Sequence, residues 1–270
     1  MSNTEYLINS SHSMLYFFFI TSLYFIVKFF IETKSIATSK GETDEDKSIR
    51  NRNKIIYTLI YFLLVIVGEF FISVAITKSS CGYPQFYTAF IITLIPWVII
   101  FLLLTSLLMV FPGWLKPFSN TFGYAVTLVA GINSTMNKIL KPNVQNSADT
   151  PENKALQESL ALIYQNRTLM INEITRDNFN DFWLTMKALI KTGEDTEKNK
   201  KSLFKMIVLK DNIAEYIWYV LTGLLVCSIG YNYLVSATCK KPINLEEQNA
   251  KRNKILDKMK NVKYKAINLN

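Results

Sequence analysis

The stretch Ile55–Ile76, IIYTLIYFLLVIVGEFFISVAI, carries a single ionisable side chain apart from its tyrosines, Glu69. A helix rises about 1.5 Å per residue, so a run of this length reaches roughly 30 Å, the thickness of a bilayer's hydrocarbon core. Three more runs are of the same kind. Met14–Ile31 has Lys28 as its one charge, and Phe86–Phe111 and Tyr216–Val235 have none. The chain is 50% hydrophobic, and concentrating that share in four membrane-length runs is not how a soluble core is built. The expected fold is all-α: a polytopic membrane protein with about four transmembrane helices, at residues 14–31, 55–76, 86–111 and 213–236.

The first run has no Lys or Arg ahead of Lys28 and no small-x-small site before Glu32. It therefore reads as a retained helix rather than a cleaved leader. Lys and Arg total 30 against 21 Asp and Glu, a formal charge of +9. Lysines outnumber arginines 25 to 5, and Ile, Asn, Phe and Tyr are abundant, as an AT-rich coding sequence produces. Base recognition favours the arginine fork, so nucleic acid is not an expected partner. Cys81, Cys227 and Cys239 share no metal-ligand spacing, and His12 is the only histidine. With no phosphate-binding glycine loop, dinucleotide fingerprint or nucleophile elbow either, no catalytic residue, cofactor or metal is expected.

Outside the spans lie a charged loop from Glu32 to Lys54, a short loop Thr77–Gln85, a polar region at 141–212 and a basic tail at 237–270. The polar region reads as a small helical domain. Thr150 and Pro151 suit an N-cap and first helical position. Ala155, Leu156, Leu160, Ile163, Met170, Ile171 and Ile174 then recur at helical spacing. Phe179, Phe182, Trp183, Met186, Leu189 and Ile190 form a second stripe, with Gly193 as terminator, and TEKNKKSLFKMIVLK leads into the fourth span. Four spans put loop one and this domain on one side. Near the membrane that side carries twelve basic residues against six opposite, which makes the domain cytosolic by the lysine and arginine bias.

Between the third span and the domain stands VFPGWLKPFSNTFGY, Val110–Tyr124. Pro112 and Gly113 end the helix, Trp114 prefers the membrane interface, and Lys116 reaches headgroups. Pro117 blocks helix again, and Ser119 or Asn120 can cap a new one. Phe118, Phe122, Val126, Val129 and Met136 then share a face. Residues 112–140 read as an interfacial segment, with a re-entrant loop and a fifth span as alternatives. Pro112, Gly113, Trp114, Lys116, Pro117, Phe118 and Asn120 are its marked positions.

The same segment, following a long apolar helix and leading into AVTLVAGINSTMNKIL, resembles a proline, glycine and aromatic motif of multi-span virion membrane proteins. These belong to large nucleocytoplasmic DNA viruses, the phycodnaviruses and giant-virus relatives. The resemblance covers roughly residues 55–140. It implies a structural, minor-capsid-associated role in the internal virion membrane, derived from host endoplasmic reticulum, with capsid or other membrane proteins as partners. A homo-oligomer is compatible with it.

Among charges, Lys28 lies four residues from Glu32 and can snorkel to its helix end. Glu69 lies fourteen residues into its run, about 21 Å from the same face, too far for Lys28 to reach. Glu215 enters on the Lys28 side and is the expected ion-pair partner. That leaves Glu69 as the intramembrane charge, and a small channel or transporter subunit using Glu69 is the alternative function. Cys81 and Cys239 fall on one face in the four-span topology, where a disulfide is permitted. Cys239, beside Lys240 and Lys241, is also a candidate for palmitoylation.

Overall fold

A computed structural model describes residues 10–34, 44–141, 158, 161–165, 167–237, 239 and 252–256. The Thr150–Pro151 cap, Ala155, Leu156, Leu160 and most of the basic tail lie outside the described residues. Helix α1 is Ser10–Lys34 and α2 is Asp44–Cys81. The third span, α3, covers residues 86–110 as α-helix Phe86–Pro96, a π segment Trp97–Leu102 and α-helix Leu103–Val110. After a 3-10 turn, Pro112–Leu115, α4 covers residues 116–129, and α5 is Ile132–Ile139. Then come α6, Arg167–Glu173, α7, Phe179–Thr185, and α8, Glu197–Ser236. Helices α1, α2, α3 and α8 are each long and apolar enough to cross a membrane.

In lipid, helices gain little by hiding apolar surface from one another, so close packing and interhelical hydrogen bonds must hold a bundle together. The inner stripe of α1 shows both. Ser13, Phe17, Thr21, Phe25 and Lys28, three or four residues apart, are all buried, while Leu15, Phe19, Ile26 and Phe30 point outward. Phe17 fits where α8 has Gly223 and Tyr16 where α2 has Gly68; a Cβ at either glycine would meet the ring at about 2 Å. Tyr16 donates its hydroxyl to the Leu64 carbonyl at 2.7 Å, and Thr21 and Tyr61 hydrogen-bond at 2.9 Å. Around them Phe17, Phe25, Tyr61, Trp97, Phe101 and Tyr219 fill the middle of the bundle with rings. Edge-to-face pairs such as Phe101–Tyr219, at 5.4 Å, add to the packing.

The polar domain has its own core, in which Ile171, Phe179, Trp183, Leu203 and Ile207 meet Ile132, Met136 and Ile139 of α5. The domain thus reaches back into the segment read from sequence as interfacial, because α5 offers its apolar stripe to α6, α7 and α8. Two chain reversals are clipped together by the antiparallel bridge Leu140–Ile190. Beside it Lys141 reaches the Ala188 carbonyl and Lys191 the Asn137 carbonyl, both at 2.8 Å, so each ammonium satisfies the open end of the other's helix. Thr196 caps α8 by accepting the Asn199 amide at 3.3 Å. From there α8 runs unbroken for 40 residues. Its first half is a wall of the domain and its second half is the fourth span.

Phe111 leaves helical geometry (φ −123°, ψ 69°) and the chain turns at Pro112. The side of α4 that is buried is not the apolar one. Ser119, Gly123 and Thr127, four apart, are its buried residues, and the first two meet α8 at Asp211 and Lys210. Phe122, Val126 and Val129 are exposed instead. The reason is distance: only small side chains let two helix backbones come this close.

Candidate functional site

Two polar clusters sit at opposite ends of the bundle. At the domain end, Lys28 of α1 donates to Glu215 of α8 and lies 4.0 Å from Glu32. The pair is completed by a residue from neither helix, Arg176, in the turn between α6 and α7. Its guanidinium reaches Glu32 at 2.7 Å, Asp211 at 3.6 Å and Glu215 at 3.6 Å, and its backbone amide donates to Asp211 at 3.2 Å. Burial works against the Arg176 cation, but the carboxylates of Glu32, Glu215, Asp211 and Asp177 outweigh it and raise its pKa. The planar fork of arginine, with five N–H donors spread around its rim, suits three carboxylates arriving from different directions.

The turn that presents Arg176 is itself held. Lys210, 1% exposed, donates its ammonium to the carbonyls of Ile171 and Ile174, both at 2.8 Å, closing the end of α6. Asn178 accepts the Thr175 amide at 2.8 Å. Sequence reasoning placed Lys28 and Glu215 but missed Arg176 and Asp211. The available signal was local: Asp211 and Glu215 are four apart on one helix face and need cations. Nothing in the sequence pointed to a residue as distant as Arg176.

Beside this cluster, Trp114 stacks on Phe111 at 5.5 Å and lies 6.2 Å from Trp218, with Phe118 6.0 Å from Trp218. Lys116 makes an exposed ion pair with Glu173 at 3.3 Å. The Pro117 carbonyl accepts from Thr121 at 2.6 Å, and a Cβ at Gly113 would meet nothing within 4 Å. The Asn120 side-chain oxygen is buried with no hydrogen-bond partner among the described residues.

At the other end, Cys81 and Cys239 form a disulfide with Cα atoms 5.6 Å apart, and Gln85 reaches the Cys81 sulfur at 3.1 Å. Cys239 is therefore not a free thiol for palmitoylation. Below the disulfide lies Glu69, 3% exposed, which accepts from Ser13 at 2.6 Å and from the Cys227 thiol at 3.7 Å. Ser13 is three residues from the start of α1, so Glu69 sits about one helical turn, roughly 5 Å, from that helix end. Along its own helix, however, Glu69 lies twelve residues, about 18 Å, before the end of α2 at Cys81, so it stays inside the span. The ring-filled centre of the bundle separates Glu69 from residues 112–140 and from Lys28.

Among the described residues, no group of three or more His, Cys, Asp or Glu could hold a metal ion. The chain matches no family model, and no curated protein or solved structure is found to be similar to it. What its four apolar helices and helix-only elements define is an all-α, polytopic integral membrane protein.

Proposed function

We propose that this chain is a non-enzymatic structural protein of the internal membrane of a large DNA virus, linking that membrane to capsid components. The observation that carries the scaffold part is the rigid junction at the Lys28 end. One continuous helix, α8, belongs to both bundle and domain, and Arg176 ties the domain turn to carboxylates on α1 and α8. A domain fixed to a bilayer in this way passes force and position from membrane to whatever it contacts. The viral setting rests on the resemblance of roughly residues 55–140 to the virion proteins. Capsid proteins, other membrane proteins or a second copy of this chain are the partners this reading calls for.

The alternative, a channel or transporter subunit, needs a polar path through the bundle. Its centre is packed with Phe17, Trp97, Phe101 and Tyr219, which favours the scaffold. Mass spectrometry of purified virus particles, with cross-linking of the domain lysines, tests the proposal. It expects the chain in particles, cross-linked to a capsid or membrane component. Absence from particles that contain the other membrane proteins refutes it.

A further inference from the structure

The Glu69 carboxylate is the least compensated charge in the bundle. Among the described residues it makes no ion pair; its partners are the Ser13 hydroxyl and the Cys227 thiol. Next to it is a cavity of about 20 Å³, lined also by Ser73, Thr93, Ile92 and Gly230. That is room for one water molecule or one small ion. Ser73 lies four residues after Glu69, on the same face of α2, and accepts from Thr93 of α3 at 2.9 Å.

A further oxygen comes from the backbone. Pro96 stands inside α3 and has no N–H, so the Ile92 carbonyl lacks its usual helical donor. The next amide, that of Trp97, goes to Thr93 and Leu94 instead. The Ile92 oxygen faces Gly230 of α8, where a Cβ would be 4.0 Å away with nothing nearer. A proline that frees a carbonyl, a glycine that leaves space and a buried carboxylate thus converge on one small cavity.

We propose that this cavity is a binding site for a single monovalent alkali cation of sodium size, held by the Glu69 carboxylate with the Ser13, Ser73 and Thr93 hydroxyls and the Ile92 carbonyl. The donors are oxygens, which suit hard cations. One carboxylate balances one positive charge, so a divalent ion would remain half uncompensated in a low-dielectric setting. This goes beyond the scaffold reading, and its failure leaves that reading untouched.

The test is equilibrium binding of radiolabelled sodium to the full chain in nanodiscs, with choline replacing sodium at constant ionic strength. Wild type takes up about one sodium per chain, and Glu69→Gln weakens binding more than about tenfold by removing the counter-charge. Gly230→Ala puts a methyl into the cavity without a backbone clash, so it abolishes binding in a protein that still folds. Sodium uptake no greater than the choline blank in wild type overturns the proposal. So does binding that survives Glu69→Gln, and full affinity in Gly230→Ala overturns the placement.

Discussion

A Cβ placed on Gly123 would lie 2.3 Å from the carbonyl oxygen of Lys210. Backbone cannot swing aside as a side-chain tip can, so α4 touches α8 here at a distance that only glycine allows. Gly123→Ala should therefore push α4 off α8 and destabilise the protein by about 1–3 kcal/mol, the usual range for overpacking. Thermal unfolding in detergent checks this. Gly113→Ala, where a Cβ meets nothing within 4 Å, is the control and should unfold at the wild-type temperature.

Arg176→Met removes the cation shared by Glu32, Asp211 and Glu215 and leaves three carboxylates with Lys28. Breaking a fully buried charge network from one side costs about 3–5 kcal/mol, and this partly buried one should lose somewhat less. Proteolysis should cut near the α6–α7 turn in the variant under conditions where wild type resists. Arg176→Lys keeps the charge but loses the fork, so an intermediate rate is expected. Equal cleavage of all three proteins would mean that Arg176 does not hold the domain.

Lys210→Met should be among the most damaging single changes in the domain. The ammonium serves the Ile171 and Ile174 carbonyls and is almost wholly buried. Methionine has similar bulk but no donor, so each orphaned carbonyl costs about 1–3 kcal/mol. Hydrogen exchange should show α6 losing protection before α7. A wild-type exchange pattern would refute the assignment.

Non-reducing alkylation and peptide mapping should recover Cys81 linked to Cys239 and Cys227 as the free thiol. The bond closes 158 residues of chain. Reduction, or Cys239→Ser, should lower stability by about 2–4 kcal/mol, and the two treatments should not add. Freely labelled Cys81 and Cys239 in protein never exposed to reductant would contradict the linkage.

Sidedness is tested by exposed lysines. Lys54→Cys and Lys138→Cys should react with an impermeant maleimide from one side of sealed vesicles, and Lys78→Cys from the other. Native thiols do not interfere, since two are bonded and Cys227 is buried. Lys138 labelled from the Lys78 side would require a fifth crossing between Phe118 and Met136.

The spans were legible because the bilayer imposes a length and an apolarity that a linear sequence records directly. Lys28 and Glu215 were legible as partners because both lie near the same end of their helices, and a rise of about 1.5 Å per residue turns position into height. The domain stripes around Phe179 and Trp183 were legible from their 3.6-residue period. Height along a helix says nothing about which helices are neighbours or how they rotate. The apolar side of α4 pointed to the membrane interface and gave no sign of α8, yet Ser119 and Gly123 make the contact with α8 because close backbone approach needs small residues there. Arg176 enters the Lys28–Glu215 pair from 144 positions beyond Glu32, and only folding of the domain onto α8 puts it there. The small cavity beside Glu69 arises where α1, α2, α3 and α8 meet. Amino-acid order set what can cross a membrane and at what depth; helix rotation and neighbour choice, governed by interlocking shapes far apart in sequence, decided what those charges face.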